Sequence, residues 1–240
     1  MAVLLKPWVH RYTCRIELCT HIAMMLINNI FGVFMKTPQL DVVINTMIKK
    51  EYFIFDTPDK NWNLNIVGLR SSGNSSKNFD DLLLVFFRQG NDWIHKFYSI
   101  TTDPSPYYLE EPLSEVYQKG TAILKEGQYV GAYKIDLHHG KYNALCQKLG
   151  PVTVYRDNNY DAYMNLIPGT EESGYFDINI HKGPIDGDSD TSNNKYSAGC
   201  QVFSNFEDFN DFMTICYESR KYFGDKFTYT LIHENDLNGS

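Results

Sequence analysis

Along "QLDVVINTMIKK" the apolar positions Leu40, Val43, Ile44 and Ile48 recur with the spacing of one helical face, which predicts a short helix over 39–50. The period then shortens. "NLNIVGLRSSGNSSKNFDDLLLVFFRQGNDWIHKFYSI" reads as strand, Ser/Gly/Asn loop from Ser71 to Asn78, strand, turn at Gly90-Asn91-Asp92, and strand. "TTDPSPYYLEEP" carries three prolines, so an irregular crossing segment without sheet pairing is expected there. From Gly120 the pattern predicts a strand "TAILK", a turn at Glu126-Gly127, a strand "VGAYKIDL", a helical turn in "HHGKYNALCQKLG", and a strand "VTVYR". Beyond Cys200, "QVF" is a strand, and Ser204 with Glu207 three residues on is a capping-box signature opening a helix. Phe206, Phe209, Met213, Cys216 and Tyr217 then recur at helical spacing, and "KFTYTLIHEN" is a last alternating strand.

These elements predict a mainly β fold with peripheral helices (α+β). The domain spans 37–240, behind an N-terminal appendage, 1–36. Aromatic residues make up 15% of the chain, with Tyr and Phe far outnumbering Trp, a bias that suits half-buried strands. The net charge is −7 and no Lys/Arg run exceeds Lys49-Lys50, which argues against nucleic acid as a partner. Five cysteines, widely spread and without CxxC pairs, imply neither a structural zinc site nor a disulfide framework. Residues 1–35 read as an amphipathic helix packed on the domain, an imperfect signal or anchor, or an upstream extension ahead of a start at Met35. Membrane contact is expected only under the anchor reading. Asp157, Asn159 and Asp161 have the opening spacing of a calcium loop, but Pro168 stands where a bidentate Glu is needed, so a polar turn is expected.

One stretch carries chemistry, "GYFDINIHKGPIDGDSDTSNNKYSAGCQVF". Alternation puts Phe176, Ile178 and Ile180 on one face and Asp177, Asn179 and His181 on the other, so His181 ends a strand facing away from the core, available as a base. The small Ser197, Ala198 and Gly199 allow a tight turn before Cys200, with backbone N–H groups beside the sulfur as an oxyanion site. A nucleophilic cysteine needs a base and such donors. A metal bound by His181, Cys200 and the nearby aspartates is disfavoured, since hard oxygens and a soft thiolate seldom share an ion. No cofactor is implied.

A strand ending in His-x-Gly, a polar loop, then Ser-x-Gly-Cys followed by a strand and a capped helix resembles the L,D-transpeptidase catalytic domain, over roughly residues 120 to 235. His181 and Cys200 lie 19 positions apart, as in that family. The resemblance implies a mixed β-sandwich, Cys200 as acyl-accepting nucleophile, His181 as general base, and a backbone carbonyl near Lys182 orienting the imidazole. Two positions depart from the family pattern. Ala198 replaces a second histidine and Val202 an arginine. A smaller branch of phage and bacterial proteins is closer, with stretches resembling "LNIVG", "TTDP", "LHHGKYNAL", "INIHKG" and "SAGCQVF" over residues 62 to 235.

The expected function is therefore cysteine-dependent acyl transfer on peptidoglycan stem peptides, at the cell envelope or in association with a phage. A non-catalytic wall-binding or virion module and a peptidase or amidase acting on other peptides stand as alternatives. His138 and Tyr196 are candidate substrate contacts. Asp186 and Asp188, with Asp190, form an acidic loop that reads as a solvated lid or as a site for the ammonium of a diamino acid.

Overall fold

In the computed structural model, which describes residues 35–73, 79–113, 118–183 and 195–237, the run "DLLLVFF" lies in strand β2 (Asp81–Gln89), both faces of which are covered. Leu83, Val85 and Phe87 point into the main core, while Leu84 and Phe86 join a second cluster with Val43 and Met47 of helix α1 (Leu40–Lys49). Strand β1 (Asn65–Arg70) divides in the same way, Ile66 entering the main core and Val67 and Leu69 facing α1. A strand buried on both sides reads as a continuous apolar run.

Eight strands close into a barrel in the order β1-β11-β5-β6-β9-β10-β3-β2. The others of this set are β3 (Asp92–Thr101), β5 (Gly127–His138), β6 (Tyr142–Gln147), β9 (Ile180–His181), β10 (Gln201–Phe203) and β11 (Phe227–His233). Neighbours are antiparallel except β1 with β11 and β9 with β10. Strands β4 (Thr121–Leu124), β7 (Val152–Asp157) and β8 (Glu172–Gly174) form a separate antiparallel sheet in the order β4-β7-β8. Helix α2 (Pro106–Glu110) precedes β4, α3 (Phe206–Phe223) follows β10, and α4 (Glu234–Leu237) follows β11. The mainly β expectation with few helices is what the structure shows. Among the described residues no helix is long and apolar enough to cross a membrane. Of the expected appendage, 1–36, residues 1–34 lie outside the described residues.

Several local expectations are corrected. "HHGKYNALCQKLG" forms no helical turn: His139 (φ +48°) and Gly140 (φ +70°) make a tight turn closed by Lys141 N–H to His138 C=O at 3.0 Å, and "YNALCQ" is strand β6. Positive φ at both central residues matches the twist of a hairpin, and histidine tolerates that region better than most side chains. "TTDPSPYYLEEP" is not wholly irregular, because Pro106 opens the one-turn α2. The cap of α3 is one residue later than Ser204. Asn205 accepts from Asp208 N–H at 2.8 Å and donates to the Asp208 carboxylate at 2.7 Å.

A buried ion cluster ties the barrel to "TTD". Arg70, fully buried, donates from Nη1 to Leu124 C=O (2.9 Å) and Glu126 (2.7 Å) and from Nη2 to Thr102 C=O (3.1 Å), and its Nε lies 3.0 Å from Asp103. Asp81 accepts from Ser71 N–H at 2.7 Å and from Thr102 N–H at 2.6 Å. One guanidinium thus faces Asp103, Glu126 and Asp81, and burial together with Asp81 holds Asp103 above the ordinary carboxylate range despite Arg70.

Candidate functional site

The turn before Cys200 is built from the residues its shape requires. The Ser197 hydroxyl donates to Cys200 C=O at 2.8 Å and accepts from Gly199 N–H at 3.2 Å, closing the turn on itself. Ser105 N–H donates to Ser197 C=O at 2.8 Å, which fastens the turn to the segment held by the Arg70 cluster. Gly199 has φ +120°, and a Cβ there would stand 2.3 Å from Ala122 C=O, so the position excludes any side chain. Among the described residues no acceptor takes the amides of Ala198 or Cys200, whereas that of Gly199 is engaged by Ser197.

Cys200 is half-buried, while Cys146 and Cys216 are buried. Its thiol donates to Asp177 C=O at 3.3 Å and accepts from Asn179 N–H at 3.4 Å. Strand β10 leaves Cys200 parallel to β9, pairing Gln201 with Ile180 and Val202 with His181. Cys200 therefore immediately precedes the strand that pairs with the one ending at His181. Among the described residues, however, no hydrogen bond joins the thiol to His181.

His181 does not face open solvent as the alternation predicts. Asp177 takes φ +54° and interrupts the strand, and both Asn179 and His181 are buried. The His181 ring stacks on His138 with centroids 4.2 Å apart. Its Nδ1 lies 2.7 Å from Lys182 C=O; a carbonyl only accepts, so Nδ1 carries the proton and Nε2 keeps its lone pair. His138 Nδ1 accepts from the Asn179 amide at 3.2 Å. Burial lowers His181 to about 4 and, with the neighbouring His181 and His139, lowers His138 to about 3. Burial raises Cys200 to about 12 against the opposing Asn179 N–H. At neutral pH the thiol and both imidazoles are uncharged.

Two organising residues escaped the sequence reading. Gln147 accepts from Phe176 N–H (2.9 Å) and Ile178 N–H (3.3 Å) and donates to Gly150 and Gly174 C=O at 3.1 and 2.8 Å. Asn179, placed on a strand face but given no role, joins His138, Gln147 N–H (2.9 Å) and the thiol, and its carbonyl takes Gln201 N–H at 2.9 Å. Its position two residues before His181 was the available signal; for Gln147 the sequence held none. Tyr142 packs near His138, and Lys182 Nζ lies 4.5 Å over the Tyr142 ring. Tyr196 stacks on Phe79 at 5.2 Å. Asp186, Asp188 and Asp190 lie outside the described residues.

Beside the turn opens a cavity of about 330 Å³ lined by Leu113, Ala122, Arg156, Phe176, Asp177 and Ala198, among others. Among the described residues no cluster of three or more His, Cys, Asp or Glu is arranged to hold a metal. The Asp157 turn is stitched by its own backbone, Asn165 N–H to Asp157 at 2.7 Å and Tyr163 N–H to Asp161 at 2.8 Å. Compared with models of known protein families and with curated proteins, the chain matches none.

Proposed function

We propose that the protein is a cysteine acyltransferase or hydrolase acting on the peptide stems of peptidoglycan, on a variant of the L,D-transpeptidase domain, at the cell envelope or with a phage. The observation that carries this reading is a half-buried thiol preceded by a glycine turn, with two amides that no described residue engages, directly before the strand that pairs with the one ending at a histidine whose Nδ1 is held by a carbonyl. In the proposed reaction Cys200 Sγ attacks a stem-peptide carbonyl and the S–H proton passes to His181 Nε2. The C–N bond then breaks, with the same proton delivered to the leaving amine, and a thioester remains. The amides of Ala198 and Cys200 stabilise the oxyanion. An amine acceptor then gives a cross-link and water gives hydrolysis.

With Cys200 raised to about 12 and His181 lowered to about 4, the resting pair is neutral, so proton transfer accompanies attack instead of preceding it. Intact-protein mass spectrometry after incubation with muropeptides or a carbapenem is expected to show one acyl adduct, absent in Cys200→Ala. In His181→Ala its formation is expected to slow about 100-fold or more. An unmodified mass in the wild-type protein overturns the reading.

The same neutral pair, without a thiol–imidazole hydrogen bond, favours a second reading: a wall-binding module that keeps the fold without catalysis. Under it, purified sacculi retain wild-type protein and Cys200→Ala equally, and no adduct forms.

A further inference from the structure

We infer that the cavity beside the Cys200 turn is an acyl-donor subsite that reads a carboxylate on the attacked peptide through Arg156. The inference rests on the acyl-transfer reading and adds the chemistry of the donor. The cavity borders the Cys200 turn: Ala198, in its wall, lies two positions before Cys200, and Asp177, also in its wall, offers the carbonyl that accepts the thiol proton. A ligand seated there lies beside the turn that carries Sγ.

Arg156 reaches the cavity from β7 with its side chain only 7% exposed. Nε and Nη2 converge on one oxygen of Glu172, at 3.1 and 3.0 Å, whereas Nη1 has only a long contact to Gly120 C=O at 3.4 Å. The other Glu172 oxygen takes Lys119 at 2.8 Å, so two cations share one carboxylate and the wall keeps a positive surplus. Asp177, the acid in the lining, is paired with Lys148. A guanidinium with donor capacity to spare, held in a largely dry wall, selects carboxylates. Phe176, 5.0 Å below the guanidinium, and Ala122 supply apolar walls, and Leu113, 46% exposed, stands at the rim. The volume is at the small end of ligand pockets and suits a short peptide segment.

Iodoacetate and iodoacetamide, nearly equal in size and different in charge, test this on the full chain. Each reaction forms a C–S bond at Cys200, expels iodide and releases the thiol proton. The ratio of the Cys200 labelling rates, iodoacetate over iodoacetamide, is followed by peptide mass spectrometry. Arg156→Gln is expected to lower that ratio about three- to tenfold, the effect of one partly screened charge. Arg156→Lys is expected to keep most of it, and Glu172→Gln, which frees the guanidinium, to raise it. Should Arg156→Gln disturb folding, Glu172→Gln decides alone. A ratio unchanged in these variants, with Cys200 still labelled faster than Cys146 and Cys216, overturns the subsite and leaves the nucleophile standing. Labelling of Cys200 no faster than those two overturns the acyl-transfer reading and the subsite with it.

Discussion

Gln147 sets the path of the chain into the site through one side chain, since its two ends hold the amides of Phe176 and Ile178 and the carbonyls of Gly150 and Gly174. A buried amide left without an acceptor costs about 1–3 kcal/mol. Gln147→Leu, similar in size, is therefore expected to lower stability by about 3 kcal/mol or more in urea unfolding. It should also slow Cys200 labelling, because Asn179 N–H beside the sulfur lies at the end of the same segment. The paired histidines give a pH dependence of definite sign. His138 and His181 have folded values of about 3 and about 4, below the ordinary 6.5, so their contribution is complete above pH 6.5 and is lost as pH falls towards those values. Each proton steepens the acid limb by about 1.4 kcal/mol per pH unit, and His138→Phe should remove one of them in urea midpoints measured from pH 7 to 4. The apolar alternation through Ile178 and Ile180 was legible, because both enter the core. The burial of His181 was not, since it depends on His138 from another strand and on the positive φ of Asp177.

At the scale of the element, what the sequence reveals depends on how local the cause is. Helix α1, strands β1 to β3 and α3 form where apolar spacing places them, but the buried faces differ in part: Ile48 and Phe206 are exposed, whereas Met47, Phe212 and Ile215 enter the core. The hairpin between β5 and β6 was misread because its turn pairs His139 with Gly140, while the common signals begin with Asn, Asp or Gly. The capping box at α3 was expected at Ser204, and the extended backbone of Asn205 (φ −143°, ψ 162°), whose side chain accepts from Asp208 N–H, moves the cap one residue later. Asn205→Ala is expected to cost about 1 kcal/mol, and Ser204→Ala much less, in the same urea assay. Such a difference assigns the cap independently of any function.

For the whole molecule, the Arg70 cluster is the long-range clamp, joining β1, the end of β3 and the turn at Glu126, and reaching Cys200 through Ser105 and Ser197. Arg70→Met leaves Asp81, Asp103 and Glu126 facing one another, and a loss of about 3–5 kcal/mol is expected for a buried pair broken on one side. Asp103, raised above 3.8, contributes stability that is complete below that value and is lost as pH rises through its folded value, opposite in sign to the histidines. Asp103→Asn should flatten that decline, read from thermal midpoints between pH 5 and 9. By itself the sequence determined the mainly β class, the apolar faces, the strand end at His181 and the glycine turn at Cys200, because each is written in neighbouring residues and short-range geometry. Only the tertiary structure decided that the strands close into a barrel, that Gln147 and Asn179 hold the site, that the thiol and imidazoles are neutral, and that Arg156 faces the cavity. Those features join residues tens of positions apart, and the burial that shifts their charges exists only after the chain has closed.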